Sequence, residues 1–324
     1  MKVAIVSTSF PSSPEDPAGH FVEAEALELA EEGHDVTVIC PQGVGPPRSH
    51  RGPLTLIELP DAGAFGWPGA VARLRERPLR TLGATRFVLE ARRVLADLSG
   101  IDRIVAHWLV PAGWPIAIAG SAPIEVVVHG TDARLLCRAP AAFREHVLAS
   151  LIRRKATFRF VSRELLHVLD AHTTFDLARH SRVEPCALSL DGAPTHDQAR
   201  FELGLEAHER VLVIAARLVG DKRVDVALSA ATLVPDARVI VLGDGPEHER
   251  LAEAFPGAEL LGRLPRSAAL TWLAAADVVL SASRLEGAPS VIREARALGT
   301  PVVATPAGDL SGWAETDPDL WLVR

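Results

Sequence analysis

The chain has 324 residues, 48% of them hydrophobic and 23% charged, enough for two domains with a core each. A formal net charge of −7 excludes a general nucleic-acid binder, which needs a strongly basic face. Cys40, Cys137 and Cys186 lie far apart with no CxxC pair, so neither a disulfide framework nor a zinc site is indicated, and a reduced, cytoplasmic setting fits best.

The first apolar run ends at Ser7, too short for a secretory signal. No stretch approaches the roughly 18 apolar residues of a membrane span, so the expectation is a soluble protein. Of 34 basic residues only Lys2, Lys155 and Lys222 are lysines, which makes a lysine at a motif position informative.

In chain order, β-branched runs predict strands at 3–6, 36–40, 54–59, 103–107, 125–128 and 158–161, then at 211–215, 238–242, 277–281 and 301–304. Helical spacing fills most of the intervals, as in 21–31, where alanine, leucine and glutamate alternate by face. The fold class is α/β: two Rossmann-like, doubly wound parallel-sheet domains, residues 1–187 and 188–324, facing a cleft. A breaker-rich segment at 184–195 marks the seam, after which the βα pattern restarts. The last apolar segment, 320–324, has no helix after it, so the second domain is expected to be short.

Candidate chemistry follows the same order. Pro17, Ala18 and Gly19 join the first strand to the first helix, where a glycine lets amides approach a phosphate or simply allows a tight turn. Residues 73–93 carry seven arginines (Arg73, Arg75, Arg77, Arg80, Arg86, Arg92, Arg93) against Glu76 and Glu90, either a solvated helix face or a peripheral contact with anionic lipid. Arg134, Arg138 and Arg144 are candidates for an anionic acceptor. The buried strand 125–128 runs into His129, Gly130, Thr131 and Asp132. His129 could donate a hydrogen bond to a substrate hydroxyl, and Asp132 is expected to cap the next helix.

In the second half, Arg217 ends a predicted strand and Lys222 opens the next helix, two cations that match a diphosphate. Gly243, Asp244 and Gly245 start a dinucleotide fingerprint, but His248 stands in the third glycine's place, which argues against a nicotinamide enzyme. The clearest cluster is Glu286, Gly287, Ala288, Pro289 and Ser290, with Glu294 eight positions after Glu286. It predicts a loop carboxylate, then a helix from near Pro289 whose first turns carry a second carboxylate. Loop amides there suit an anion, and the carboxylates suit sugar hydroxyls; the plain alternative is a pair of solvated charges.

Taken together the segments resemble the retaining glycosyltransferases of family 4, which have the GT-B fold. The first βαβ unit with Gly19 and residues 32–38, the Ala106–His107–Trp108 and His129–Asp132 landmarks, Arg217 with Lys222, and Glu286 with Glu294 before 299–303 follow the family's order. The resemblance implies a nucleotide-sugar donor such as a UDP- or GDP-sugar, held mainly by the second domain, and no metal or other cofactor. It implies catalytic roles for His129, Arg217, Lys222 and Glu286. Donor binding falls to Gly19, Arg263 and Leu264 (near the base), Gly287, Ala288, Pro289, Ser290 and Glu294 (at the ribose). The acceptor, whether glycan, lipid or small molecule, and the oligomeric state stay open. Gly19 stands alone where relatives carry two glycines, and Gly308-Asp309-Leu310-Ser311-Gly312 departs from the family's last loop. Two further readings are an epimerase of the same fold and a degenerate sugar-nucleotide-binding protein.

Overall fold

The β-branched runs form strands buried on both faces, as parallel sheets covered by helices require. The computed structural model describes residues 1–13, 16, 18–43, 45–67 and 69–323, so Pro17 lies outside the described residues. Contacts divide the chain into two compact units, Met1–Ala187 and Leu188–Arg324.

The first unit contains β1 (Lys2–Val6), β2 (Asp35–Pro41), β3 (His50–Arg51), β4 (Leu54–Leu59), β5 (Arg103–His107), β6 (Ile124–Val128), β7 (Thr157–Phe160) and β8 (Ser181–Val183). Its helices are α1 (His20–Glu31), α2 (Ala70–Glu76), α3 (Arg80–Asp97), α4 (Thr131–Arg138), α5 (Ala141–Arg153) and α6 (Arg163–Asp170). The sheet order is β3-β4-β2-β1-β5-β6-β7-β8, parallel except for the β3–β4 pair. The order reverses direction between β1 and β5, and open parallel sheets bind ligands at the carboxyl edge of such a switch point.

The second unit contains β9 (Arg210–Ala215), β10 (Ala237–Leu242), β11 (Ala258–Gly262), β12 (Val278–Ser281), β13 (Val302–Ala304) and β14 (Leu320–Leu322). Its helices are α7 (His196–Glu202), α8 (Val224–Ala231), α9 (His248–Ala254), α10 (Arg266–Ala275), α11 (Ser290–Ala297) and α12 (Leu310–Ala314). The order β11-β10-β9-β12-β13-β14 places its switch point between β9 and β12. Alternate residues of β9 feed opposite faces: Val211 and Val213 join one core, Leu212 and Ile214 the other. The last apolar segment is an edge strand, paired in parallel with β13.

Two short strands escape the sequence patterns. β3 and β8 read His-Arg and Ser-Arg-Val, without the apolar run that betrays a central strand, because both lie at sheet edges.

Candidate active site

In the first unit, the carboxyl ends of β5 and β6 bring His107 and His129 together. Their rings stack at 5.2 Å, with His107 Nδ1 3.1 Å from His129 Nε2. His107 is fully buried; His129 keeps partial exposure. On the far side of His107, Nε2 lies 3.8 Å from Glu25 Oε2 on α1, and Glu25 pairs with the buried Arg159 of β7. Glu25 thus sits on the buried face of α1, with Val22 and Ala26, and is not a solvated helix charge. Glu125 of β6 also lies 3.0 Å from Arg159, so the buried guanidinium has carboxylates on two sides, as buried charge requires.

Burial is the main reason that both imidazoles are hard to protonate, and the Arg159 charge adds to it. His107 is lowered to about 3, and His129, which also feels His107, well below its ordinary value. Both rings are therefore neutral near pH 7. The tautomers can be assigned from the network. The Glu25 carboxylate favours a proton on His107 Nε2, which leaves His107 Nδ1 to accept from His129 Nε2–H. The remaining nitrogen of His129, Nδ1, then carries a lone pair, 4.0 Å from Cys186 Sγ. So held, His129 offers Nδ1 as a hydrogen-bond acceptor.

Aromatic rings fix His129 in place. Phe21, in the first turn of α1, lies 5.0 Å from it and Trp108 lies 4.8 Å from it. Trp108 reaches there because its backbone turns through φ 77° at the end of β5, a strained conformation for a residue with a side chain. Gly19 begins α1 with φ 76°, and a Cβ there would fall 2.3 Å from the Ser9 carbonyl oxygen. Close backbone approach alone demands the glycine.

Asp132 is not the cap of α4. It lies inside the first turn, buried, and accepts from the backbone N–H groups of Leu109, Gly130 and His129 at 2.8, 2.8 and 3.2 Å. It ties the chain after β5 to the loop after β6, and so holds the two histidine-bearing strand ends in register. Burial raises its pKa against the pull of those N–H donors.

In the second unit, the loops after β9 and β12 meet at the switch point. Lys222 Nζ lies 2.5 Å from Glu286 Oε1, both side chains largely buried. Beside it, Asp221 accepts from Arg284 through its backbone carbonyl at 2.9 Å and its carboxylate at 2.6 Å. Lys222 closes a short turn, Gly220–Lys222, and α8 opens two residues later after Arg223 in a left-handed conformation. Arg217 follows β9 by two residues, half-buried in the same loop.

The glycines that imitate a dinucleotide fingerprint serve this loop. A Cβ on Gly243 would lie 1.9 Å from the Ala216 carbonyl oxygen, and one on Gly245 would lie 2.4 Å from that of Leu218. The turn after β10 packs directly on the Arg217 loop, with Leu218 N–H donating to Asp244 at 3.0 Å and Glu247 N–H to Leu218 at 3.1 Å. Gly308 similarly brings the loop after β13 against Glu286 and Gly287.

Pro289 precedes α11, as the sequence predicts, and among the described residues no side chain caps that helix. The Ser290 end of α11 therefore offers amide donors beside Gly287 and Ala288. Glu294 is buried in α11 and held by Arg266 of α10 at 2.6 Å, while Arg266 also donates to the Ser189 carbonyl at 2.5 Å. Sequence reasoning missed Arg266, because a partner 28 positions away leaves no local pattern. Arg263 and Leu264 follow β11, two strands from β9, with Arg263 exposed and Leu264 packed on the core.

Comparisons with known proteins match this layout. The family model described as Glycosyltransferase Family 4 covers residues 18–182, and that described as Glycosyl transferases group 1 covers residues 209–323. The chain is 26% identical over 345 residues to TuaC of Bacillus subtilis, a glycosyltransferase named for teichuronic acid biosynthesis, across 96% of this chain and 82% of that one. A shorter match, 36% identical over 161 residues, joins 45% of the chain to 33% of the D-inositol 3-phosphate glycosyltransferase of Mycobacterium tuberculosis. Among solved structures, sucrose-phosphate synthase of Thermosynechococcus elongatus has a TM-score of 0.76 at 20% identity, covering 100% of this chain and 86% of its own. Anabaena HepE, solved with UDP-glucose, has a TM-score of 0.68 at 18% identity, covering 96% and 82%. The fold class is GT-B.

Proposed function

The chain belongs to glycosyltransferase family 4, and on that premise we propose that it is a retaining, metal-independent enzyme of carbohydrate biosynthesis. It moves a hexosyl group from a nucleotide-sugar, such as a UDP- or GDP-sugar, to a glycan, lipid or small-molecule acceptor. The observation that carries the reading is the Lys222–Glu286 pair at the switch point of the second sheet, beside the uncapped end of α11. A cation held by a carboxylate, with an uncapped helix start four residues further along the same loop, suits a diphosphate.

In this reading Arg217 and Lys222 take up the negative charge that grows on the departing diphosphate, the task a metal performs elsewhere. Amides of Gly287, Ala288 and Ser290, with Pro289 setting the turn, hold the donor's oxygens. Glu286 orients Lys222 and meets the sugar hydroxyls, Glu294 the ribose, and Arg263 and Leu264 the base. His129 Nδ1 accepts from a sugar hydroxyl, and Gly19 lets α1 begin close to it. The bond between the anomeric carbon and the diphosphate breaks, the acceptor oxygen bonds on the same face, and its proton passes to the leaving phosphate.

The basic run belongs to the first unit's outer surface, and the structure divides it. Arg73, Arg80 and Arg92 donate to backbone carbonyls of their own unit. The outward face of α3 instead shows Leu82, Arg86, Leu89 and Arg93, with Leu79 just before it, and the three leucines are 74%, 51% and 83% exposed for Leu82, Leu89 and Leu79. Exposed leucines interleaved with arginines support peripheral contact with an anionic bilayer at the cytoplasmic face. No helix among the described residues is long and apolar enough to cross a membrane.

The test of the donor site is thermal unfolding of the full chain with a panel of nucleoside diphosphates and no added metal. One nucleotide at a hundred times its Kd adds about 2.7 kcal/mol, a rise in melting temperature that names the base. A folded chain that answers to none of them lacks the site.

A further inference from the structure

Transfer chemistry uses one nitrogen of His129 and asks His107 only to fix its tautomer, with no part for Cys186. We propose that His107, His129 and Cys186 form a site for a thiophilic divalent ion, Zn²⁺ or Co²⁺, whose binding blocks His129 and inhibits the enzyme. One ligand atom from each of the three residues lies within 4.8 Å of the others. His107 Nδ1 lies 3.1 Å from His129 Nε2, while the thiol lies 4.0 Å from the other ring nitrogen of His129, Nδ1, so an ion shared by all three takes only one of the two His129 nitrogens. Bonds near 2.0 Å to nitrogen and 2.3 Å to sulfur place tetrahedral ligands about 3.3–3.6 Å apart, so atoms within 4.8 Å reach that spacing by side-chain shifts of about an ångström.

Three further features favour an ion over a packed core pair. First, the ligands come from separate, well-supported elements: the end of β5, the end of β6 and the segment after β8. Second, His107 has a carboxylate behind it. Among the described residues neither His107 Nε2 nor Glu25 Oε2 has a hydrogen-bond partner, and they face each other at 3.8 Å. A ligating imidazole usually turns its other N–H to a carboxylate in this way, which raises its basicity toward the ion. Third, the donor set of two imidazoles and a thiol selects zinc, cobalt or copper and rejects magnesium and calcium. The ion enters past His129, the partly exposed member.

Binding balances simply. The ion displaces the proton shared by the two rings, which moves to the other nitrogen of His129, and Cys186 gives its thiol proton to solvent as the thiolate ligates. Inhibition rests on the role given to His129 above; binding of the ion does not.

Co²⁺ titration of the purified full chain, without donor, tests the site directly. The expected result is a thiolate-to-cobalt charge-transfer band that saturates at one ion per chain. It should vanish in Cys186→Ala and Cys186→Ser and persist in Cys137→Ala, all three checked for folding by circular dichroism. No band, or a band that survives both Cys186 substitutions, overturns the site. Transfer assayed with Zn²⁺ is then lost in the wild type and retained in Cys186→Ala. If the cobalt band behaves as expected but Zn²⁺ leaves transfer intact, the site stands and the inhibitory effect, with the role of His129, falls.

Discussion

The two sheets present opposite chemistry at equivalent places. At the β1/β5 switch point of the first unit, His107 and His129 are neutral, stacked and boxed in by Phe21 and Trp108. At the β9/β12 switch point of the second, Lys222 and Glu286 form an ion pair in loops fastened by backbone contacts. One topology therefore supports an uncharged hydrogen-bonding edge and a charged one. The difference lies in what the strand ends and loops carry: His107 closes β5, while His129, Lys222 and Glu286 stand on loops. A transfer enzyme that must hold a polyanion and also handle sugar hydroxyls has use for both.

The comparison breaks most visibly if the charged edge is removed. Lys222→Ala is expected to lower kcat by roughly 10²–10³, about 2.7–4 kcal/mol, the loss found for a single preorganised electrostatic contact. Steady-state transfer assays decide it, and Lys222→Arg should recover part of the loss by keeping the charge. Wild-type turnover in Lys222→Ala would mean that the second edge is an ordinary structural ion pair.

The rigidity of that edge gives the next effect. Gly243→Ala places a methyl 1.9 Å from the Ala216 carbonyl oxygen at φ 126°. The backbone conformation alone costs on the order of 1–3 kcal/mol, before any shift of the loop that carries Arg217. The melting temperature should fall by several degrees, and donor binding should weaken with it. An unchanged melting curve would show that the loops after β9 and β10 are less tightly joined than the packing states.

The elements of this comparison differ in how far the sequence revealed them. The central strands announced themselves, because runs such as 125–128 are β-branched and buried on both faces. β3 and β8 did not, since an edge strand can be polar. Lys222 and Glu286 were each legible as motif residues, but their pairing across 64 positions was not. The first-unit site was half legible. His129 stood out at a strand end, whereas His107 and Cys186 join it across 22 and 57 positions, distances that only the fold closes. Asp132 misled because an Asx residue at a helix start ordinarily caps, and here the pull of Leu109, Gly130 and His129 amides draws it inward. The Gly243 turn read as an incomplete dinucleotide fingerprint, whereas its contact with a neighbouring backbone lies outside any local pattern.

The neutral edge is probed through pH. Folded His107 has a pKa lowered to about 3 from an ordinary 6.5, so between those values the unfolded chain binds a proton that the folded chain refuses. Stability is therefore expected to fall as the pH drops through that window, by up to about 1.4 kcal/mol per pH unit from this residue, with no contribution above it. His129 acts in the same direction. Chemical unfolding at a series of pH values should give a shallower slope for His107→Gln than for the wild type. Equal slopes would place His107 among ordinary solvated histidines.

The units differ on their outer surfaces as well, and the smallest predicted effect sharpens that difference. In the second unit the exposed large apolar residues fall in three places: Phe201 on α7, Val226, Leu233 and Val234 on α8 and the turn after it, and Trp321 and Val323 at β14. In the first unit Leu79, Leu82 and Leu89 fall on or beside one helix face with Arg86 and Arg93. Arg86 already pairs with Glu90 at 2.7 Å, while Arg93 makes no ion pair among the described residues. Arg93 is thus the cleaner probe of attraction to lipid headgroups. Arg93→Gln should weaken binding to vesicles containing anionic lipid by about 1 kcal/mol, roughly fivefold, and leave transfer to a soluble acceptor unchanged. Replacing Leu82 and Leu89 by serine should reduce binding at high salt too, because the apolar part of the attraction is not screened. Co-sedimentation with neutral and anionic vesicles separates the outcomes, and equal wild-type binding to both, or none to either, would return this face to plain solvation.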